Sequence, residues 1–425
     1  MKNHEYTNVT LPNGLTVIIV PQADAYTATV LVLVETGSKY ETKKLNGISH
    51  FLEHMCFKGT KKRPRSIDIS SELDALGASY NAFTGHEYTG YYAKVDAAHL
   101  FRAIDIVSDI YINQIFRKEE LKKESGVIIE EINMYEDDPK RKIHDDFTAL
   151  LYGDQPAGWN IAGTKESVLS ITTDDLRSYH DDHYVARGTT VIVSGKCDPK
   201  NVLEEVKKRF KTIRTKPKKS KLPTKDVQKK EALAIHHRKT DQTHAIIGFR
   251  SYPSSHKKVI TLHILSTILG GGMSSRLFSV IREKMGAAYY VSSFTDEFTD
   301  HGYFAISVGS NNAKIKNVIS AILLECRRLK EKPVSQKELR KVKDYMIGKL
   351  AIGLETSDSL GWYYGMQYVQ KKRIDTPEAF MKKINSISAK DIQNVAREIF
   401  QKTHLNAAII GPATSKVAFV PLLKV

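Results

Sequence analysis

The chain has 425 residues, 41% of them hydrophobic and 26% charged. That is too much for one ordinary core and too apolar for a disordered chain, so two or more globular domains are expected. A net charge of +16 raises nucleic acid as a partner, but residues 214–230 hold eight basic side chains and one acid, so much of the excess sits in one run.

That run contains Pro and reads as a solvated linker kept extended by its like charges. There is no aromatic-studded basic strand, zinc-finger spacing or helix-turn-helix signature, so nucleic acid is not expected as a partner. No stretch approaches the ~18 uncharged apolar residues of a membrane span. The opening stretch lacks the order of a secretory signal and the Arg-rich character of a transit peptide. Cys56, Cys197 and Cys326 are odd in number and far apart, which suits a reducing compartment. A cytoplasmic protein without membrane contact is the expectation.

In chain order, the first half reads as an alternating strand at 28–35, a helix at 45–58 and a second helix at 66–76. A strand pair broken at Gly85 follows, then a helix across 118–136. A helix with a capping start opens at 170–176, and TTVIVSG forms a strand at 189–195. Beyond the linker, strand 244–251, helices 257–269 and 275–285, and a hairpin over 287–308 repeat this plan. The capping start recurs at 386–392, 216 residues later, and a short apolar strand again follows, at 405–411. A nearly constant offset over such distances points to tandem duplication. The expected class is α+β, two homologous domains, each a mostly antiparallel sheet packed against helices. The expected division is 1–213, a basic linker at 214–231, and 232–425.

The chemistry lies in the helix at 45–58, in His50-Phe51-Leu52-Glu53-His54. Histidines at i and i+4 lie one above the other on a helix, so both imidazoles can reach one ion. Glu53 leans to the same side, where it can hold a metal-bound water. Leu45, Ile48, Leu52 and Met55 form an apolar stripe opposite. The order H-x-x-E-H is the inverted zincin motif. The five residues by themselves also admit two hydrogen-bonded histidines beside a surface acid.

A zinc hydrolase needs a third protein ligand and an open fourth position. In the helix at 118–136 the apolar stripe runs Leu121, Ile128, Ile132, Tyr135, with Glu124 and Glu131 on its edge and Glu130 facing away. A carboxylate turned toward a core is costly unless paired or bound to metal, so Glu131 is favoured as ligand and Glu124 as a supporting carboxylate. Plain surface acids remain the alternative. Cys56 projects away from the histidines and reads as a small buried residue. His86, His144, His180, His183 and the His236-His237 pair lack ligand spacing. Shifting the motif by 215 residues lands on Leu265, Ile268 and Leu269, so one zinc site per chain is expected.

With these residues in view, the chain resembles the pitrilysin/insulinase (inverzincin) family of zinc peptidases. The likeness is to its half-length subgroup, which includes mitochondrial processing peptidases and bacterial homologues, and runs from LPNGLTVIIVP to the closing AAIIG. In that family 76 residues separate the last His from the Glu ligand, which lands on Glu131. The resemblance implies one Zn2+ held by His50, His54 and Glu131, with Glu124 behind them and Glu53 activating water. It implies an edge strand, including Asn81, Ala82 and Phe83, that pairs with extended substrate. It also implies that Arg282 and Tyr289, in R-E-x-x-G-x-A-Y, hold the substrate backbone and the oxyanion. Read without the family, Arg282 suits a helix-end surface residue, Tyr289 a core aromatic, and 79–84 an ordinary hairpin strand.

The sequence departs from relatives at Gly158-Trp159-Asn160-Ile161-Ala162-Gly163-Thr164, where a basic residue and Pro often precede Gly-Thr. The resemblance further implies a two-subunit chamber, by homodimer or by heterodimer with an inactive homologue. The expected activity is zinc-dependent endopeptidase action on short or unfolded peptides. The rival reading is a non-catalytic peptide-binding or scaffold subunit.

Overall fold

The computed structural model describes residues 5–425; the first four, part of the stretch read above for a targeting signal, lie outside the described residues. The first half contains strands β1 (Thr7–Thr10), β2 (Thr16–Pro21) and β3 (Thr27–Val34), then helices α1 (Ile48–Cys56) and α2 (Ser66–Ala75). Next come β4 (Ser79–Thr84), β5 (Thr89–Asp96), α3 (Leu100–Ile112), α4 (Lys118–Asp137) and α5 (Pro139–Tyr152). It closes with α6 (Lys165–Ser170), α7 (Thr173–His183), β6 (Thr189–Gly195) and α8 (Pro199–Arg209). The second half contains β7 (Ala232–His237), β8 (Gln242–Ser251), α9 (Val259–Gly270), β9 (Ala288–Glu297) and β10 (Gly302–Asn311). Helices α10 (Ile315–Glu331), α11 (Gln336–Gly353), α12 (Ser357–Lys371), α13 (Pro377–Ser386), α14 (Ala389–Ile399) and strand β11 (Leu405–Gly411) complete it.

The strands form two sheets, ordered β1-β2-β6-β3-β5-β4 and β7-β11-β8-β10-β9. From its second strand onward the first sheet has the connectivity of the other: β2 corresponds to β7, β6 to β11, β3 to β8, β5 to β10, β4 to β9. Each contains one parallel pair, β2–β6 and β7–β11, and is otherwise antiparallel. The expected class, two α+β repeats, holds. The two capping starts also correspond: Thr172 caps α7 with Asp175, and Ser388 caps α14 with Asp391.

The chain divides into two compact units that are not contiguous in sequence. One runs through Asn133 and adds Trp159–Leu222 and Ala351–Thr376; the other comprises Met134–Gly158, Pro223–Leu350 and Pro377–Val425. In the first, helices including α1, α3 and α4 cover one sheet face, carried by Val17, Ile19, Val30, Val32 and Val191. Helix α12, from the second half of the sequence, covers the other: the approach of Gly365 to Ile192 and Leu33 sets it close to the sheet. Ser357 bonds there to Thr27, Thr29 and Ser194. In the second unit α5, from the first half, fills the same role with Ile143, Phe147 and Leu151 against Ile246, Ala305, Ala408 and Ile410. Because both faces are covered, β3 is buried almost throughout rather than alternating, as a continuous apolar run requires.

The basic run at 214–230 contains no helix or strand, but it is not free in solvent. Lys218 pairs with the buried Glu35 at 2.5 Å, Lys221 with the buried Glu87 at 3.3 Å, and Lys219 with Asp182 at 2.6 Å. Buried carboxylates need a countercharge, and the linker supplies part of it, beside Lys372 at Glu35 and Lys39 at Glu87.

Candidate metal centre

Helix α1 opens at Gly47, whose φ of +94° is left-handed. No side chain of Gly47 caps it; Glu41 does so from outside. Its Oε2 accepts from the Gly47 N–H at 2.8 Å and from Asn46 Nδ2 at 3.0 Å, and its Oε1 from the Ser49 N–H at 2.8 Å. Burial pushes the Glu41 carboxyl up to about 7 in spite of these donors. The departing stretch at 158–164 braces the same helix start: Asn46 Nδ2 donates to the Asn160 carbonyl at 3.0 Å, and the Ala162 carbonyl lies against Gly47. Ile48, Leu52 and Met55 are buried as expected, and so is Phe51, while Leu45 belongs to a short turn before the helix. His50, Glu53 and His54 occupy the remaining face.

Helix α4 meets that face. His50 Nε2 and His54 Nε2 each lie 3.6 Å from the same atom, Glu131 Oε2. Bonds of ~2.0–2.1 Å to a tetrahedral zinc ion separate its donors by roughly 3.3–3.4 Å, close to the spacing of each imidazole from Glu131, and all three donor groups lie within 4.8 Å of one another. His50, His54 and Glu131 form the one such group of potential ligands among the described residues. Burial, with the neighbouring His54, drives His50 down to about 3, leaving its imidazole neutral as a ligand must be.

His54 Nδ1 is 2.8 Å from Glu124 Oε1, which orients the ring with Nε2 toward Glu131. Burial opposes charge on His54, but the bond to Glu124 and the nearby Glu53 and Glu131 outweigh it, and its pKa rises. Three carboxylates around two imidazoles thus draw positive charge to this spot, and the donor set suits zinc. Within α4, Ile128 and Ile132 are buried as the periodicity predicts, but Tyr135 is exposed.

Glu53 is half-buried beside His54 and Glu131. Burial raises its carboxyl above the ordinary range, opposed by a 2.5 Å hydrogen bond that Thr84 Oγ1 donates to Oε2. Thr84 ends β4, the edge strand of its sheet. Asn81, Ala82 and Phe83 lie on that edge, with the Ala82 N–H bonded to the Asn81 side chain at 2.9 Å. Phe83 turns from the metal face, packing on Trp362 of α12 with ring centroids 4.4 Å apart.

Residues 16–165 match the family described as Insulinase (Peptidase family M16), and 170–346 match Peptidase M16 inactive domain. The uncharacterized zinc protease YmxG of Bacillus subtilis is 32% identical over 404 residues, 95% of this chain and 98% of that protein. The chain belongs to the M16 peptidase family. An uncharacterized zinc protease of Rickettsia felis is 34% identical over 95% of this chain and 96% of its own. The crystal structure of a protease from Helicobacter pylori superposes with a TM-score of 0.91 at 25% identity, covering 96% of this chain and 100% of that one. An M16-like peptidase from Alicyclobacillus acidocaldarius, 18% identical with a TM-score of 0.83, shares the fold and covers 96% of this chain and 99% of its own.

The second M16 repeat bears no counterpart of the metal centre: Leu265, Ile268 and Leu269 are buried in its core. Its R-E-x-x-G-x-A-Y stretch departs from the expected α-helix, because Phe278–Lys284 winds as a π-helix, a geometry common at functional sites. Arg282 projects from it into solvent. Tyr289 is 60% exposed instead of a core aromatic. The β9–β10 register explains this: Gly309 pairs with Tyr290 and Ser310 with Ala288, so Tyr289 is the extra residue of a β-bulge. Arg282 Nη1 donates to the Tyr289 carbonyl at 2.5 Å, tying the two together.

Cys56 is buried beside Tyr91, and His180 and His183 are structural: His180 bonds the Tyr111 carbonyl, and His183 stacks on Tyr179. Sequence reasoning did not single out Glu41, Lys58 or Thr84; none has a spacing that marks it, and each reaches the site only through a turn or strand end.

Proposed function

We propose that this M16 protein is a zinc-dependent endopeptidase acting on short or unfolded peptides, with one zinc ion per chain. The observation that carries the reading is the convergence of His50 Nε2, His54 Nε2 and Glu131 Oε2 beside the half-buried carboxylate of Glu53. Zinc bound by these three donors would polarise a peptide carbonyl and make a water acidic enough to lose its proton near neutral pH.

Glu53 takes the proton of the attacking water and returns it to the departing amine; burial raises its proton affinity toward that task. Thr84 fixes one carboxylate oxygen and leaves the other for water. The free edge of β4 takes substrate as an added strand, through main-chain bonds that read little sequence. Arg282 and Tyr289 hold the peptide and the developing oxyanion, as their likeness to the family element suggests. The working form is a two-subunit chamber, a homodimer or a heterodimer with an inactive homologue. The setting is the cytoplasm, in keeping with three free cysteines. Among the described residues no helix is long and apolar enough to cross a membrane.

Zinc per chain and cleavage of a quenched unstructured peptide, with and without chelator, test the reading. Cleavage should require zinc. Glu53→Gln should keep the metal and lose turnover by ~10²-fold or more. Cleavage that survives full chelation, or a zinc-loaded wild type that cleaves nothing, would overturn it.

A further inference from the structure

Glu124 does more than face a histidine. Its Oε1 lies 2.8 Å from His54 Nδ1 and its Oε2 lies 2.6 Å from Lys58 Nζ. The carboxylate side chain is 6% exposed and the lysine 23%, so the pair is withdrawn from water. A buried carboxylate is costly unless its charge is balanced. The balance cannot come from His54, because an imidazole that offers Nε2 to a metal is neutral and gives Glu124 one N–H and no full charge. Lys58 is the cation that reaches the other oxygen.

Lys58 is itself held in place. It follows the last turn of α1, where its N–H donates to the Met55 carbonyl at 3.1 Å. Its own carbonyl accepts from Arg117 Nη2 at 3.0 Å. The ammonium, the carboxylate and the imidazole therefore form one row running from the end of the metal helix, through α4, back to the metal-facing nitrogen. Among the described residues His50 has no such row: its Nδ1 is buried with no hydrogen-bond partner there. The two histidines are unequally supported, and His54 is the anchored one.

We propose that Lys58 is a positioning residue of the metal centre, which by balancing the charge of Glu124 fixes the ring of His54 and so raises the affinity for zinc. The inference rests on the zinc reading of the site and adds to it a residue outside the ligand set. Loss of an outer-shell partner generally lowers metal affinity by roughly 10–100-fold.

The test is zinc affinity of the full chain, measured by competition with a chromophoric chelator, alongside thermal unfolding of the zinc-free protein. Lys58→Met should bind zinc about tenfold more weakly, and Lys58→Arg, which keeps the charge, should recover most of that loss. In a Glu124→Gln background, Lys58→Met should make no further difference. Zinc-free Lys58→Met should still fold, at a lower unfolding temperature because Glu124 loses its countercharge; should it fail to fold, Lys58→Gln carries the same comparison. Wild-type affinity in Lys58→Met, or an equal loss with and without Glu124, would overturn the inference while leaving the zinc reading intact. A wild type that binds no zinc would overturn both.

Discussion

Thr84 donates a 2.5 Å hydrogen bond to Glu53, joining the last residue of an edge strand to the acid that stands beside His54 and Glu131. A peptide added along β4 would thus run toward a side chain that already holds the proposed base.

Thr84→Val removes this bond and leaves only the nearby His54 to oppose the effect of burial on Glu53. The Glu53 pKa then rises, the base stays protonated to higher pH, and the acid limb of the kcat profile moves upward. A charge-assisted hydrogen bond of this kind is worth enough to lower kcat roughly tenfold, with KM and zinc content little changed. Thr84→Ser should restore the wild-type profile. A Thr84→Val enzyme with an unmoved acid limb would show that the contact does nothing for the base.

Tyr289→Phe keeps the ring on its bulge and removes the hydroxyl. If that hydroxyl stabilises the oxyanion, kcat should fall by ~10²–10³-fold with zinc binding intact. Steady-state kinetics beside metal analysis decide this, and unaltered kcat would return Tyr289 to the role of a surface aromatic.

The Glu41 carboxyl is raised from 4.5 to about 7 by burial, so between these values the folded protein holds a proton that the unfolded chain releases. Its contribution to stability is fully present below about 4.5 and is lost as pH rises through about 7, by at most ~1.4 kcal/mol per pH unit. Urea unfolding of zinc-free wild type and Glu41→Gln at pH 5 and pH 7.5 should show the wild-type advantage shrinking at the higher pH. An advantage that grows with pH would mean Glu41 is ionised in the fold.

Gly47→Ala tests the start of the metal helix. A Cβ there would lie 2.6 Å from the Ala162 carbonyl oxygen, on a backbone with φ +94°. The left-handed conformation alone costs about 1–2 kcal/mol for a residue with a Cβ, before that contact is counted. Denaturant unfolding should show at least this loss, and a neutral substitution would mean the 159–164 loop yields.

Much of the architecture was legible in the residue order. TTVIVSG and LNAAIIG are the strands read for them, and helix 118–136 differs from α4 by a single terminal residue. These segments have local causes: short apolar runs that end in Gly, and a 3.6-residue stripe. The same stripe placed Glu124 and Glu131 toward the histidines and Glu130 away, because helical geometry alone fixes which side chains share a face.

Other features depend on contacts between segments far apart in the chain. Strands that are apolar on both faces say that two layers cover them, but not which helices. Only the folded units reveal that α12 covers the first sheet and α5 the second. The bulge that exposes Tyr289 arises from register against β10, and the linker lysines are held by acids remote in sequence. Lys58, Glu41 and Thr84 belong with these: a hydrogen bond or ion pair has no periodicity, so its partner is chosen by tertiary packing. Local pattern determined the ligands and the elements that carry them; three-dimensional proximity determined what orients the ligands and tunes their charge.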